Sequence, residues 1–241
     1  MESSQKLWPG GNETQTINWQ QTITPFNEEF LTELESLMDI ESHAFELKPG
    51  SKLFRQGSSA DRFYLILDGC LKESYVDQAG IESILGFYYS NEFMGLESLG
   101  EPAYEKTAEA ITSCQVSGIP CPELKSNLFT KSPELEHYVW GMMGEAITAA
   151  RKRVNVLHLE AADQKLATFL LAQCKRFCRI APIPLEMPMA RQDIACYLGM
   201  SAETLSRLFT RFEDNGLIRS TKKQVEIVDH AGLTALLHRE G

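Results

Sequence analysis

The stretch Arg191-Gln192-Asp193-Ile194-Ala195-Cys196-Tyr197-Leu198-Gly199-Met200-Ser201-Ala202-Glu203-Thr204-Leu205-Ser206-Arg207-Leu208 breaks at Gly199 into two short helical patterns. Ile194, Ala195 and Leu198 share one face of the first, and Leu205 and Leu208 one face of the second. Ala195 is small enough to let a second helix cross closely. Gly199 suits a tight turn, and the Ser201 hydroxyl can accept from a first-turn amide. These independent constraints agree on a helix-turn-helix.

In that motif the second helix lies in the major groove of double-stranded DNA, its first turns against base edges. The outward residues here are Ala202, Glu203, Ser206 and Arg207. Arg207 suits a bidentate contact to guanine, Glu203 can accept from a cytosine amino group, and Ser206 can serve either way. Downstream, residues 217–227 read as a small hairpin whose turn presents Lys222 and Lys223. With Ser201, Gln192 and Arg211 these lysines are candidate phosphate contacts, which fix register without reading sequence. Residues 161–241 are therefore expected to form a winged helix-turn-helix.

The overall charge of −10 runs against DNA binding until the chain is divided. Residues 1–150 carry 9 Lys+Arg against 23 Asp+Glu, whereas residues 151–241 carry 14 against 10. Phosphate binding is local, so the basic back half matters more than the total.

Before the motif, residues 133–160 carry a helical apolar stripe of Val139, Met142, Met143, Ala146, Ala150, Val154 and Leu157. Its length, narrowness and small residues suit close approach of two identical helices, and so a homodimer; packing on the chain's own front half is the alternative. A second helix follows, with Leu166, Phe169, Leu170 and Phe177 as its core face.

Residues 25–132 begin with a short helix over Phe30, Leu31, Leu34 and Leu37, then change to β-rich runs punctuated by glycine, such as Phe63-Tyr64-Leu65-Ile66-Leu67 and Ile84-Leu85-Gly86-Phe87-Tyr88. That spacing predicts an antiparallel β jelly roll, and the fold class as a whole is α+β. Residues 1–24 are polar and aperiodic and read as a flexible tail.

No segment is apolar for the length of a membrane span, and the N-terminus resembles no signal peptide, so a cytoplasmic location without membrane contact is expected. The six cysteines include no Cys-X-X-Cys pair, so neither a zinc ribbon nor a disulfide framework is indicated; Cys174 and Cys178, one helical turn apart, leave a redox pair open. A barrel enzyme of the cupin kind would need clustered histidine ligands, and residues 45–116 contain no histidine. No metal site and no catalytic group is expected.

A glycine-punctuated barrel, a long helix and a C-terminal winged helix-turn-helix together resemble the CRP/FNR superfamily, named for the cyclic-AMP receptor protein and the fumarate-nitrate reduction regulator. The resemblance runs from about residue 27 to 236, and its most specific element is Glu203-Thr204-Leu205-Ser206-Arg207. Serine at the third contact position, and Ala202 in place of an arginine, look like the fumarate-nitrate branch. The resemblance implies a transcription regulator, an activator by expectation, on palindromes of TTGAT-type half-sites. It also implies contact with RNA polymerase, through the loop Tyr89 to Gly95.

Where the cyclic-AMP branch holds ribose and phosphate with Gly-Glu and Arg-Ser, this chain has Gly95-Leu96 and Lys106-Thr107. An ammonium is no equivalent of a guanidinium fork, so the effector pocket reads as degenerate. The iron-sulfur members carry N-terminal cysteines plus one in the barrel. Here the first cysteine is Cys70 and the barrel position is Ser117, so that cluster is not expected. No cofactor is expected and the effector is unknown; a haem- or redox-responsive regulator of the same family is the alternative.

Overall fold

In the computed structural model, which describes residues 44–123, 133–159, 161–177 and 184–238, the front of the chain is two four-stranded antiparallel sheets. Strands β1 (Ala44–Leu47), β3 (Arg62–Asp68), β6 (Phe93–Met94) and β8 (Cys114–Pro120) form one, in the order β1-β8-β3-β6. Strands β2 (Lys52–Phe54), β4 (Cys70–Val76), β5 (Glu82–Tyr89) and β7 (Thr107–Ala110) form the other, in the order β2-β7-β4-β5. The expected tail of residues 1–24, the expected helix around Phe30 to Leu37, and Cys178 lie outside the described residues.

The apolar run in β3 is continuous because both of its faces are covered. Tyr64 and Ile66 point between the sheets, where they meet Phe54, Leu71, Ala108 and Val116. Phe63 and Leu65 point outward onto Val139 and Met142 of helix α1 (Pro133–His158).

The second sheet buries its outer face differently. In the β4–β5 pairing Glu73 lies opposite Gly86 but Ser74 lies opposite Ile84, so Leu85 is skipped. The extra residue resets the side-chain alternation. Ile84, Phe87 and Tyr89 thereby join one cluster with Leu166, Phe169 and Leu170 of helix α2 (Ala162–Phe177). That cluster runs on into the C-terminal part of the chain, so barrel and back half share a core.

The back half comprises α2, helix α3 (Arg191–Tyr197), helix α4 (Ala202–Asp214), helix α5 (His230–Leu236) and a three-stranded sheet. The hairpin expected over residues 217–227 is present as β10 (Ile218–Ser220) and β11 (Gln224–Ile227). A third strand, β9 (Leu185–Glu186), pairs with β11 from the far side; two residues between prolines carry no strand signal of their own. Among the described residues no helix is long and apolar enough to cross a membrane.

Candidate nucleic-acid interface

Helix α3 buries Ile194 and Ala195, with Leu198 fully buried at its end, and α4 buries Leu205, Leu208, Phe209 and Phe212. Gly199 makes the turn between them at a φ of 64°, a region that costs glycine nothing. Ser201 caps α4, its Oγ accepting from the Thr204 N–H at 3.1 Å. The helix-turn-helix legible in the sequence is thus built by the residues that signalled it.

The opposite face of α4 is open. Ala202, Glu203, Ser206 and Arg207 are all exposed, and Glu203 and Arg207 are three-quarters exposed while paired with each other one turn apart. An exposed i, i+4 pair stabilises a helix by only about 0.3–0.5 kcal/mol, so it orients Arg207 without holding it back from a ligand. Glu203 also lies in the first turn of α4, where the helix dipole favours a negative charge.

The five candidate phosphate ligands are placed around this face with differing freedom. Ser201 is committed as the cap, and Gln192 is exposed in the first turn of α3. Arg211, two turns beyond Glu203, has its guanidinium 3.0 Å from the Asp163 carboxylate of α2. Lys222 and Lys223 are exposed in the wing turn, whose backbone is closed by Thr221 N–H donating to the Gln224 carbonyl at 2.8 Å. The wing is clipped to α4 by Glu213, which accepts from the Ser220 amide at 3.0 Å and hydroxyl at 2.6 Å.

Sequence reasoning passed over Arg191. Its guanidinium lies 3.5 Å above the Phe209 ring and donates to the Thr221 carbonyl at 3.3 Å. Burial pulls its pKa below the ordinary value, and Glu213 only partly offsets that. One side chain therefore ties α3, α4 and the wing, through partners 18 and 30 positions away that no local pattern reveals.

The stripe expected on α1 divides in two. Val139 and Met142 are each 4% exposed and belong to the barrel core, so they are corrected to intrachain packing residues. Among the described residues of this helix, Trp140, Ile147 and Val154 are the large apolar side chains left exposed, at 64%, 54% and 48%. With Met143, Ala150 and Leu157 they alternate at spacings of three and four, the pattern of a two-helix seam. Ala146 is exposed beside that seam, and residues 144–152 are exposed throughout. Trp140 and Ile147 were not among the expected seam residues.

In the barrel, the degenerate pocket is occupied by the chain's own charges. Gly95 precedes a 3₁₀ turn over Leu96–Leu99, and the Thr107 hydroxyl accepts from the Gln56 amide at 3.0 Å. The Lys106 ammonium turns inward, 3.4 Å from Glu73 and 3.6 Å from Glu97. Tyr88 donates to Glu73 at 3.2 Å. Two acidic side chains thus flank the one ammonium. Glu73 was not foreseen, although a charge at an inward strand position was the available signal.

Burial raises the Glu73 carboxyl above its ordinary value, and the nearby Lys106 reverses this only in part. A raised carboxyl favours the folded state in its neutral form. That stability is complete below the ordinary glutamate value and is lost as pH rises through the raised one. Glu73→Gln, which mimics the neutral form, should therefore gain thermal stability over the wild type as pH rises from about 5 to about 8. Paired thermal melts across that range check it; a difference that does not change with pH would count against it.

Among the described residues no three His, Cys, Asp or Glu side chains converge as metal ligands. Cys70, Cys114, Cys121, Cys174 and Cys196 form no disulfide, and Ser117 is fully buried in β8.

The chain matches two family profiles, a cyclic nucleotide-binding domain over residues 44–130 and a Crp-like helix-turn-helix domain over residues 164–236. It is 34% identical to the transcriptional activator protein FnrA of Stutzerimonas stutzeri, across 86% of this chain and 85% of that protein. It is 28% identical to the fumarate and nitrate reduction regulatory protein of Salmonella typhimurium, across 92% and 89%. The structure of FixK2 from Bradyrhizobium japonicum superposes with a TM-score of 0.75 over 82% of this chain and 98% of that one; at 23% identity this speaks to fold alone. The exposed face of α4, the winged helix-turn-helix and the β-sandwich ahead of it agree with these likenesses, and the chain belongs to the CRP/FNR family of DNA-binding transcriptional activators, which are not enzymes.

Proposed function

We propose that the protein is a homodimeric, sequence-specific activator that binds palindromes of TTGAT-type half-sites, one per protomer. The observation that carries this reading is the two-faced character of α4: a fully buried inner face and an open outer face bearing Glu203, Ser206 and Arg207. Arg207 reads guanine, Glu203 reads cytosine, and Ser206 and Ala202 line the same groove. Ser201, Gln192, Arg211, Lys222 and Lys223 hold the backbone. Arg211 exchanges Asp163 for a phosphate when DNA binds. The dimer closes along the Trp140–Leu157 seam of α1. Both protomers act in the cytoplasm and present the barrel to RNA polymerase.

No added nucleotide is required in this reading, because Lys106 is already paired with Glu73 and Glu97 within the barrel. The test is binding of nucleotide-free, metal-free protein to a TTGAT-NNNN-ATCAA duplex and to a scrambled duplex at one stated ionic strength. Selective binding to the palindrome is the expected result; equal binding to both would overturn the assignment of Glu203, Ser206 and Arg207.

A further inference from the structure

The winged helix-turn-helix is seated on its own barrel. Helix α3 lies along β5, the edge strand of the second sheet. The Ile84 amide donates to Cys196 Sγ at 3.3 Å, and the Cys196 thiol donates back to the Glu82 carbonyl at 3.4 Å. One residue pair adds charge: Lys72 Nζ on β4 is 3.1 Å from Asp193 Oδ1 on α3, with both side chains under 20% exposed. Burial alone would lower the Lys72 pKa, but Asp193, aided by Glu109 and Glu82, outweighs it and keeps the ammonium charged.

Helix α1 enters the same joint. Arg153 donates to the Ile84 carbonyl at 2.7 Å and lies 5.3 Å from the centre of the Tyr197 ring on α3. A Cβ placed on Gly199 would be 3.2 Å from Leu157 Cδ2, so the end of α1 also touches the turn of the motif. The base-reading face stays exposed while all these contacts are made, so the joint does not block DNA.

We propose that this joint sets the spacing between the two recognition helices of the dimer, with Lys72 and Asp193 as the positioning residues that lock it. The inference rests on the dimeric reading above. The seam on α1 carries the two-fold axis, so anything rigid with α1 and the barrel stands at a fixed distance from that axis. Half-sites must sit about one helical turn of DNA, or a multiple of it, apart to be read together. Locking α3 to β4, β5 and α1 converts that requirement into a preference for one spacer length. Lys72 and Asp193 touch neither base nor phosphate in this arrangement; they act through the orientation of α4.

The test uses the full chain, with Lys72→Glu, Asp193→Lys and the double variant, on palindromes with spacers of three, four and five bases and on a single half-site. The wild type should prefer one spacer. Each single variant should flatten that preference about tenfold, within the range for contacting charges, while half-site binding is unchanged. The double variant should restore part of it, since Glu109 lies 3.8 Å from Lys72 and opposes the reversed charge. An unchanged spacer preference in both single variants overturns the proposal. So does equal loss on half-site and palindrome, which would mean the variants only damage the fold.

A second measurement separates this from the regulator reading. A zero-length carbodiimide cross-link between Lys72 and Asp193, read by peptide mass spectrometry, reports the joint without DNA. Its absence from the wild type overturns the lock. A cross-link with no palindrome selectivity in the wild type overturns the regulator reading instead, and the spacer role with it.

Discussion

Arg207→Ala is expected to lower affinity for the palindrome roughly thirty- to twenty-thousand-fold, while changing affinity for scrambled DNA little. The range follows from one bidentate guanine contact per protomer at about 1–3 kcal/mol, counted twice in a dimer. Nothing in the fold offsets the loss, because Arg207 is three-quarters exposed and pairs with Glu203 on the same helix. Folding should be untouched, since the inner face of α4 is unaltered. The salt dependence of binding should also stay as it was, because no phosphate contact is removed. Alanine at Lys222 or Lys223 should do the converse: weaken binding to every sequence alike and reduce the salt slope by about two, one for each protomer. Titrations at several salt concentrations on both duplexes distinguish the two. If Arg207→Ala weakened scrambled DNA as much as the palindrome, Arg207 would be a phosphate ligand and the base-reading assignment would be wrong.

Ile147→Asp should produce a monomer. Ile147 lies at the middle of the α1 seam and is 54% exposed in the protomer, so the substitution leaves the single chain almost unaffected. In the dimer it would place two carboxylates opposite each other among Trp140, Met143, Ala150 and Val154. Affinity for the palindrome should then fall on the order of a hundred- to ten-thousand-fold, the advantage lost when two linked contacts become one. Thr148→Asp, one position further round the helix, should leave the dimer intact. Sedimentation velocity reads the assembly state, and the same duplex titration reads its consequence. A dimeric Ile147→Asp protein would show that the protomers meet elsewhere.

The parts of this molecule that were legible in its sequence are those specified within a turn or two. Ile194, Ala195, Gly199, Ser201 and Leu205 lie within 12 residues of one another, and each acts on its neighbours, so pattern alone carried the motif. The barrel was legible as a class from its alternating runs and glycines. Its β4–β5 bulge was not, because the skip at Leu85 is decided by what covers each face. The α1 stripe was misdivided for the same reason. Val139 and Trp140 differ by one position, about 100° of helix, and only the barrel says which one is covered. Lys106 stood in plain view as a poor phosphate ligand, but its partner Glu73 lies 33 residues away and pairs through the sheet. Arg191 drew no reading from the sequence and ties α3 to α4 and the wing.

The bare middle of α1 has a further consequence, for protein turnover. From residue 144 to 152 every residue of the helix is exposed in the protomer, and backbone hydrogen bonds are its main support. An isolated helix of that length is marginal in water, so this stretch depends on the packed turns at its two ends. A protomer alone thus offers proteases an accessible segment between two well-packed ends, and pairing removes it. Cellular lifetime would then rise with abundance: dilution by growth would shorten the half-life of each remaining copy, and a burst of synthesis would lengthen it.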